Sequence, residues 1–171
     1  VAVRRQRQMC IRDSIYTWRP CDGVETACAW KFALESKAAP SALILSRQSL
    51  DAQKRETNDP IFLGGYELAS DQNPKITLVA SGSEVSLAMK VREQLNEQKI
   101  SSRVVSMPCT EMFDEQSPEY QRETLGSLPK IFIEAGQSDF WKKYCEGDDQ
   151  VVGIDKFGES APIDLSLIHI S

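Results

Sequence analysis

The sequence predicts an α/β fold: a largely parallel sheet covered on both faces, preceded by part of a second α/β unit. Short apolar runs alternate with helix-period stretches between residues 76 and 155. Strand, helix, strand in repetition implies right-handed crossovers between parallel strands. Earlier in the chain one helical stretch is followed by the apolar run "ALIL", and then by a polar stretch, "DAQKRETNDP", that has no period and closes at Gly64-Gly65. That polar stretch marks the expected boundary between the two units.

The first helix is read over 24–34, where Val24, Ala27, Cys28, Ala29, Trp30, Phe32, Ala33 and Leu34 recur at helical spacing and Asp22 is placed to cap the start. Ala39-Pro40 closes this segment, and residues 42–45 read as a strand buried on both faces. Beyond the boundary, "ITLVA" at 76–80 is a strand leading through Ser81-Gly82-Ser83 into a helix from Glu84 to about 98. Its inner face is expected to carry Val85, Leu87, Ala88, Val91 and Leu95. Strands follow at 103–107, ended by Pro108, at 130–135 and at 150–155. A helical or irregular region fills 110–125, and a short aromatic helix after Gly136 holds Phe140, Trp141 and Tyr144.

The ends do not share this pattern. Residues 1–14 carry scattered arginines without a sustained apolar period or a small-residue cleavage site, which makes a poor signal peptide; a mitochondrial-type leader is the alternative, weakened by the lack of amphipathic order. "MCIRDS" near the start and "LSLIHI" near the finish resemble translated adapter sequence, so residues 1–14 and 165–171 are expected to be non-native tails.

Composition narrows the class. At 171 residues with 41% hydrophobic and 26% charged residues, the chain is that of an ordinary globular protein, and no apolar run approaches the roughly 20 residues that span a bilayer. The 25 acidic against 20 basic residues give no general attraction for nucleic acid or anionic lipid, so neither a nucleic-acid nor a membrane partner is expected and any anion site must be local. Five cysteines, odd in number and without a C-x-x-C pair, fit buried reduced thiols in a cytoplasmic protein. The only histidine, His169, lies in the final tail, which leaves little basis for a histidine triad or a histidine metal site.

Arg47 is the main candidate. It follows an apolar strand at its carboxyl end, where open α/β sheets bind ligands, and a planar fork of donors suits phosphate or carboxylate, with Ser46 and Gln48 able to add neutral hydrogen bonds. The alternative is a structural ion pair with a neighbouring carboxylate. "ASGSEV" places Ser81 and Glu84 at capping-box spacing, which reads as ordinary helix capping; its single glycine makes neither a dinucleotide fingerprint nor a P-loop. Asp114, Glu115, Asp148 and Asp149 read as solvated loop charge rather than a metal site, and Trp141 and Tyr144 as core.

The runs "TWRPCDGVETACAWKFALE", "PSALILSRQSL", "GGYEL", "ITLVASGSEVSLAMK", "RVVSMPCTEMFDEQ" and "VGIDKFGESAP" closely resemble, in this order, the carboxyl-terminal part of transketolase, over about residues 16–164. The resemblance implies that residues 15–63 are the last portion of a pyrimidine-binding domain and residues 64–164 most of a small carboxyl-terminal α/β domain. It implies a parent enzyme of the pentose phosphate pathway that uses thiamine diphosphate and a divalent metal, magnesium, to move a two-carbon ketol unit from a ketose phosphate to an aldose phosphate. It further implies a homodimer with active sites at the interface.

In that family the arginine of the S-R-Q motif binds the sugar phosphate, and Arg47 matches it. The family's cofactor and metal ligands and its substrate-handling histidines lie upstream of "TWRPCDG", so no catalytic, cofactor or metal residue is assigned and this polypeptide alone is expected to be inactive. Two other readings stand beside this one: a standalone non-catalytic α/β binding module, and the carboxyl-terminal chain of a split transketolase or of a wider relative such as dihydroxyacetone synthase. Strand edge and apolar helix surface in the first unit are expected to lie uncovered, with residues 66–164 folding more independently.

Overall fold

A computed structural model describes residues 15–37, 39–55 and 57–155. The two expected tails, Cys10, His169 and the "FGESAP" stretch lie outside the described residues. The first unit is a parallel crossover: β1 (Tyr16–Trp18), α1 (Gly23–Glu35) and β2 (Ser41–Leu43), with Tyr16 opposite Ser41 and Trp18 opposite Leu43. Asp22 caps α1 as its position predicts, accepting from the amides of Val24 and Glu25. Phe32 of α1 packs edge-on against Tyr16 and tilted against Trp18, which holds the helix over this small sheet.

The strand at 42–45 is a correction. Regular pairing ends at Leu43 and all of β2 is only half-buried, while Ile44 and Leu45 are 55% and 51% exposed. The cause is that among the described residues β2 pairs only with β1, and the ladder continues by one bond, Ile44 N to Trp18 O at 2.8 Å. Trp30 and Leu34 of α1 are exposed as well.

A 3₁₀ turn (Asp59–Leu63) leads through Gly64-Gly65 into β3 (Tyr66–Ser70), then β4 (Ile76–Ala80), α2 (Glu84–Glu97), β5 (Ser102–Ser106), α3 (Thr110–Asp114), α4 (Pro118–Leu125), β6 (Lys130–Ile133), a second 3₁₀ turn (Ser138–Tyr144) and β7 (Gln150–Val152). The five strands lie in the order β3-β5-β4-β6-β7. All neighbours are parallel except β3, which runs antiparallel to β5 with a register shift between Glu67 and Ala69. Alternate residues feed two cores, as a period of two requires. Leu78, Ala80 and Val104 face α2 and the first unit, joining Val85, Ala88, Trp18, Cys28 and Ala29 in one cluster. Val79, Val105 and Phe132 face the other way and meet Phe113 and Trp141. The first unit therefore shares its core with the larger sheet.

Two further expectations change. Leu87 is half-exposed rather than on the inner face of α2, which is held by Val85 and Ala88 with Met89, Val91 and Leu95 partly buried. The Asp149 side chain is buried rather than solvated: it pairs with Lys130 at 3.0 Å and accepts from the Lys130 amide at 2.7 Å, clamping the turn before β7 to the start of β6. Cys21, Cys28 and Cys109 are buried free thiols, in line with the cysteine reading; Cys145 is half-buried.

Gly64 fixes the entry into β3. Its φ is +83°, and a Cβ there would stand 2.3 Å from the Cys109 carbonyl oxygen and 2.5 Å from the Phe113 amide nitrogen, both backbone atoms. Gly147 also has a positive φ, +55°, but faces open space. Gly64→Ala should therefore cost more than about 2 kcal/mol, whereas Gly147→Ala should cost about 1 kcal/mol from backbone strain alone. Urea denaturation of the two variants checks this, and equal losses would contradict it.

Candidate functional site

Parallel strands β1 and β2 direct their carboxyl ends to the same side, so the loop from Arg19 to Asp22, the start of α1 and the loop from Ile44 to Leu50 meet there. A groove of about 230 Å³ runs between them, lined by Pro20, Gly23, Thr26, Leu45, Ser46 and Gln48, with Asp22 at its base. Ser46 Oγ accepts from the Gln48 amide at 3.0 Å and so folds the loop into a side-chain turn. Arg47 lies between these two lining residues and is exposed.

The structural ion pair is absent among the described residues. Arg19, Arg55, Arg92, Arg103 and Arg122 each pair with a carboxylate, while Arg47 has neither an ion pair nor a hydrogen bond there. Its five donors are therefore unclaimed by protein groups among the described residues.

Sequence reading missed the network that holds this end of the unit. Asp22 Oδ2 accepts from Arg55 Nη2 and from the Gln53 amide, both at 2.9 Å, and the Arg55 and Asp22 side chains are buried. The polar stretch read as a linker is thus anchored. Arg55 Nε donates to the Tyr66 hydroxyl at 3.2 Å, and Tyr66 donates in turn to Glu25 Oε1 at 2.9 Å. Glu25 is 0% exposed and also accepts from the Ser106 hydroxyl at 2.6 Å and the Cys21 amide at 2.7 Å. Burial and the Glu25 charge push the Tyr66 hydroxyl far above its ordinary range, so it stays protonated and keeps donating.

The other candidates fall as follows. The "ASGSEV" capping box is not made: Ser83 takes the cap position but its hydroxyl donates to Glu84 Oε1 at 2.7 Å rather than accepting from a helix amide, Ser81 Oγ is buried without a partner among the described residues, and Glu84 Oε2 accepts from Arg19 at 3.4 Å. Arg19 also donates to Glu134 at 2.5 Å, and Glu134 accepts from the Trp141 indole at 3.0 Å. Asp114 is taken by Lys143 and the Tyr144 hydroxyl, and Glu115 by the Tyr16 hydroxyl. Asp148 is exposed. Among the described residues no three His, Cys, Asp or Glu side chains come together as a metal site, and no helix is long and apolar enough to cross a membrane. Trp141 is core and Tyr144 is half-buried beside it. Arg19 directly follows β1, a three-residue strand the sequence pattern did not mark, so the logic applied to Arg47 did not reach it.

The family described as "Transketolase-like TK C-terminal domain" matches residues 64–170. Transketolase 1 of Vibrio parahaemolyticus is 48% identical over 167 residues, which is 95% of this chain and 25% of that protein. Among solved structures, a transketolase of Pichia stipitis in complex with sedoheptulose-7-phosphate superposes with a TM-score of 0.84 at 36% identity, covering 92% of this chain and 23% of that one. A chain described as "Split gene transketolase, inactive beta4 tetramer" shares the fold, with a TM-score of 0.66 at 22% identity over 89% of this chain and 52% of that one. The chain thus spans about a quarter of the length of the curated relatives it matches.

Burial alone would raise the Asp22 carboxyl, but the amides of Glu25 and Gln53 and the Arg55 guanidinium outweigh it and hold the group below its usual range. A lowered folded value means stability that is complete above the ordinary aspartate range and lost as pH falls through the folded value. Arg55→Met should therefore cost about 3 kcal/mol at neutral pH, because it strands a buried carboxylate. The penalty should shrink below about pH 4, where protonation of Asp22 removes that charge. Urea titrations at both pH values check this; an equal penalty at both would contradict it.

Proposed function

Since the chain belongs to the transketolase family, we propose that it supplies the substrate-phosphate end of a transketolase subunit's active site, in an enzyme moving a two-carbon ketol unit between sugar phosphates. Arg47 carries this reading: among the described arginines it alone has no internal partner, and it stands beside a groove beyond the carboxyl ends of two parallel strands. A free guanidinium offers a phosphate two parallel, charge-assisted bonds, which paired Arg19 or Arg55 cannot do. The Ser46 hydroxyl, with its lone pair held by the Gln48 amide, still has its proton to donate.

Anchoring the phosphate fixes the far end of an extended sugar, so binding energy made there holds the distant carbonyl in place for reaction. Thiamine diphosphate supplies the carbanion-stabilising chemistry in this class. The reading assigns cofactor, magnesium and the chemical step to other parts of the subunit, and includes a homodimer in the cytoplasm. The shared fold of a split-gene transketolase favours one second reading, in which this sequence belongs to a separate carboxyl-terminal chain.

In the full-length subunit, Arg47→Ala should raise KM for phosphorylated ketoses by about 10- to 100-fold with kcat little changed, the worth of a charge-assisted phosphate contact. A non-phosphorylated donor should be unaffected. Steady-state kinetics with both donor types tests this, and an unchanged KM for the phosphorylated sugar would sink the assignment. By titration calorimetry the isolated chain should take up no thiamine diphosphate with magnesium; saturable binding would contradict the division of labour.

A further inference from the structure

A second cleft lies at the carboxyl end of the five-stranded sheet. β4 leaves through Ser81 toward β5 on one side, and its parallel neighbour β6 leaves through Glu134 toward β7 on the other. Adjacent strands whose connections depart in opposite directions leave a crevice between their ends, where open α/β sheets bind ligands. A cavity of about 290 Å³ fills this crevice, with Ser81 and Glu134 facing from the two strand ends. The first unit roofs it: the Arg19 amide donates to Pro108 O at 2.7 Å and Arg19 O accepts from the Gly82 amide at 2.9 Å.

We propose that this crevice is a second binding site, independent of the Arg47 assignment, and that it takes a small organic cation, an ammonium group on an apolar body about the size of one ring. Ser81 is 2% exposed, lines the cavity, and its hydroxyl has no partner among the described residues. A buried polar group left unsatisfied is costly, and a ligand donor or acceptor at that point relieves it. The volume is at the small end for ligand sites, which suits a body of about one ring.

The charge sets the sign. Arg19 is the one cation facing the crevice among the described residues, 28% exposed in its side chain, and it is already divided between Glu84 and Glu134. Glu111 adds a third carboxylate: its Oε2 accepts from the Thr17 amide at 3.2 Å and the Cys109 thiol at 3.6 Å, while Oε1 makes no bond among the described residues. An anion here would meet an excess of negative charge, whereas Glu111 Oε1, unbonded among the described residues, offers an ammonium group a partner. Ile44, Met107, Pro108 and the partly exposed Phe140 ring form the apolar wall, and an aromatic face also attracts a cation.

The test uses the full 171-residue chain, isotopically labelled, titrated with three probes of one shape and different charge: benzylamine, benzyl alcohol and benzoate. The reporters are the Trp141 indole N–H and the Gly136 amide, both of which donate to Glu134, by proton–nitrogen correlation spectra. Benzylamine should shift both saturably, benzyl alcohol at least about five-fold more weakly, and benzoate not at all. Ser81→Ala, which removes an unpartnered hydroxyl and so keeps the fold, and Phe140→Ala, at an exposed ring, should each weaken benzylamine by about three-fold or more. Shifts that favour benzoate, no shift with benzylamine, or shifts indifferent to both variants would overturn the proposal.

Discussion

The structure depends on one buried constraint: two carboxylates at the start of α1, Asp22 and Glu25, must find donors inside the protein. Asp22 turns its two oxygens to different tasks, one capping α1 and the other holding Arg55 and the Gln53 amide. Glu25 reaches Tyr66 on β3 and Ser106 at the end of β5. Because Arg55 also bonds Tyr66, one guanidinium serves both ends of the network. Unpaired buried charge is so unfavourable that these partners have to stay together, and they come from four separate stretches of chain. The network thereby joins the first parallel unit to the five-stranded sheet and fixes the angle at which α1 presents its first turn.

The proposed phosphate site follows from that anchoring. The segment after Leu50 is pulled back to Asp22 by Gln53 and Arg55, so the loop carrying Arg47 has to arch over the start of α1 on its way there. An arginine at the crest of a loop with both feet tied is free in its side chain yet restricted in its backbone, which suits a group that meets ligand rather than protein. Arg19, an equally placed arginine after the neighbouring strand, shows the opposite outcome: Glu84 and Glu134 claim it, and it closes the seam between the two units.

Local pattern made much of this legible. β4, α2, β5 and β6 stand within a residue or two of their predicted positions, because each is a long periodic run between turn signals. The Asp22 cap was readable for the same reason. The strand β3 was not, since "YELAS" is short and mixed and its antiparallel pairing depends on the Gly64 turn docking against Cys109. Glu25 looks like a solvent residue in an amphipathic helix; only Tyr66 and Ser106, distant in sequence, make its burial tolerable. The "ASGSEV" box failed because the helix starts at Glu84 with Ser83 as its cap, so Glu84 is the first helical residue rather than the third and its carboxylate turns to the Ser83 hydroxyl and Arg19. At Arg47 the motif marked the residue, while the depth of its strand was misread, since periodicity says nothing about how many strands cover a sheet.

The most direct test of the account is a crystal structure of the full-length subunit with a ketose phosphate bound. Two Arg47 guanidinium nitrogens should stand at about 2.8 Å from phosphate oxygens, with Asp22 and Arg55 still paired beneath the loop. A phosphate held elsewhere, with Arg47 in solvent or turned onto a protein carboxylate, would contradict it.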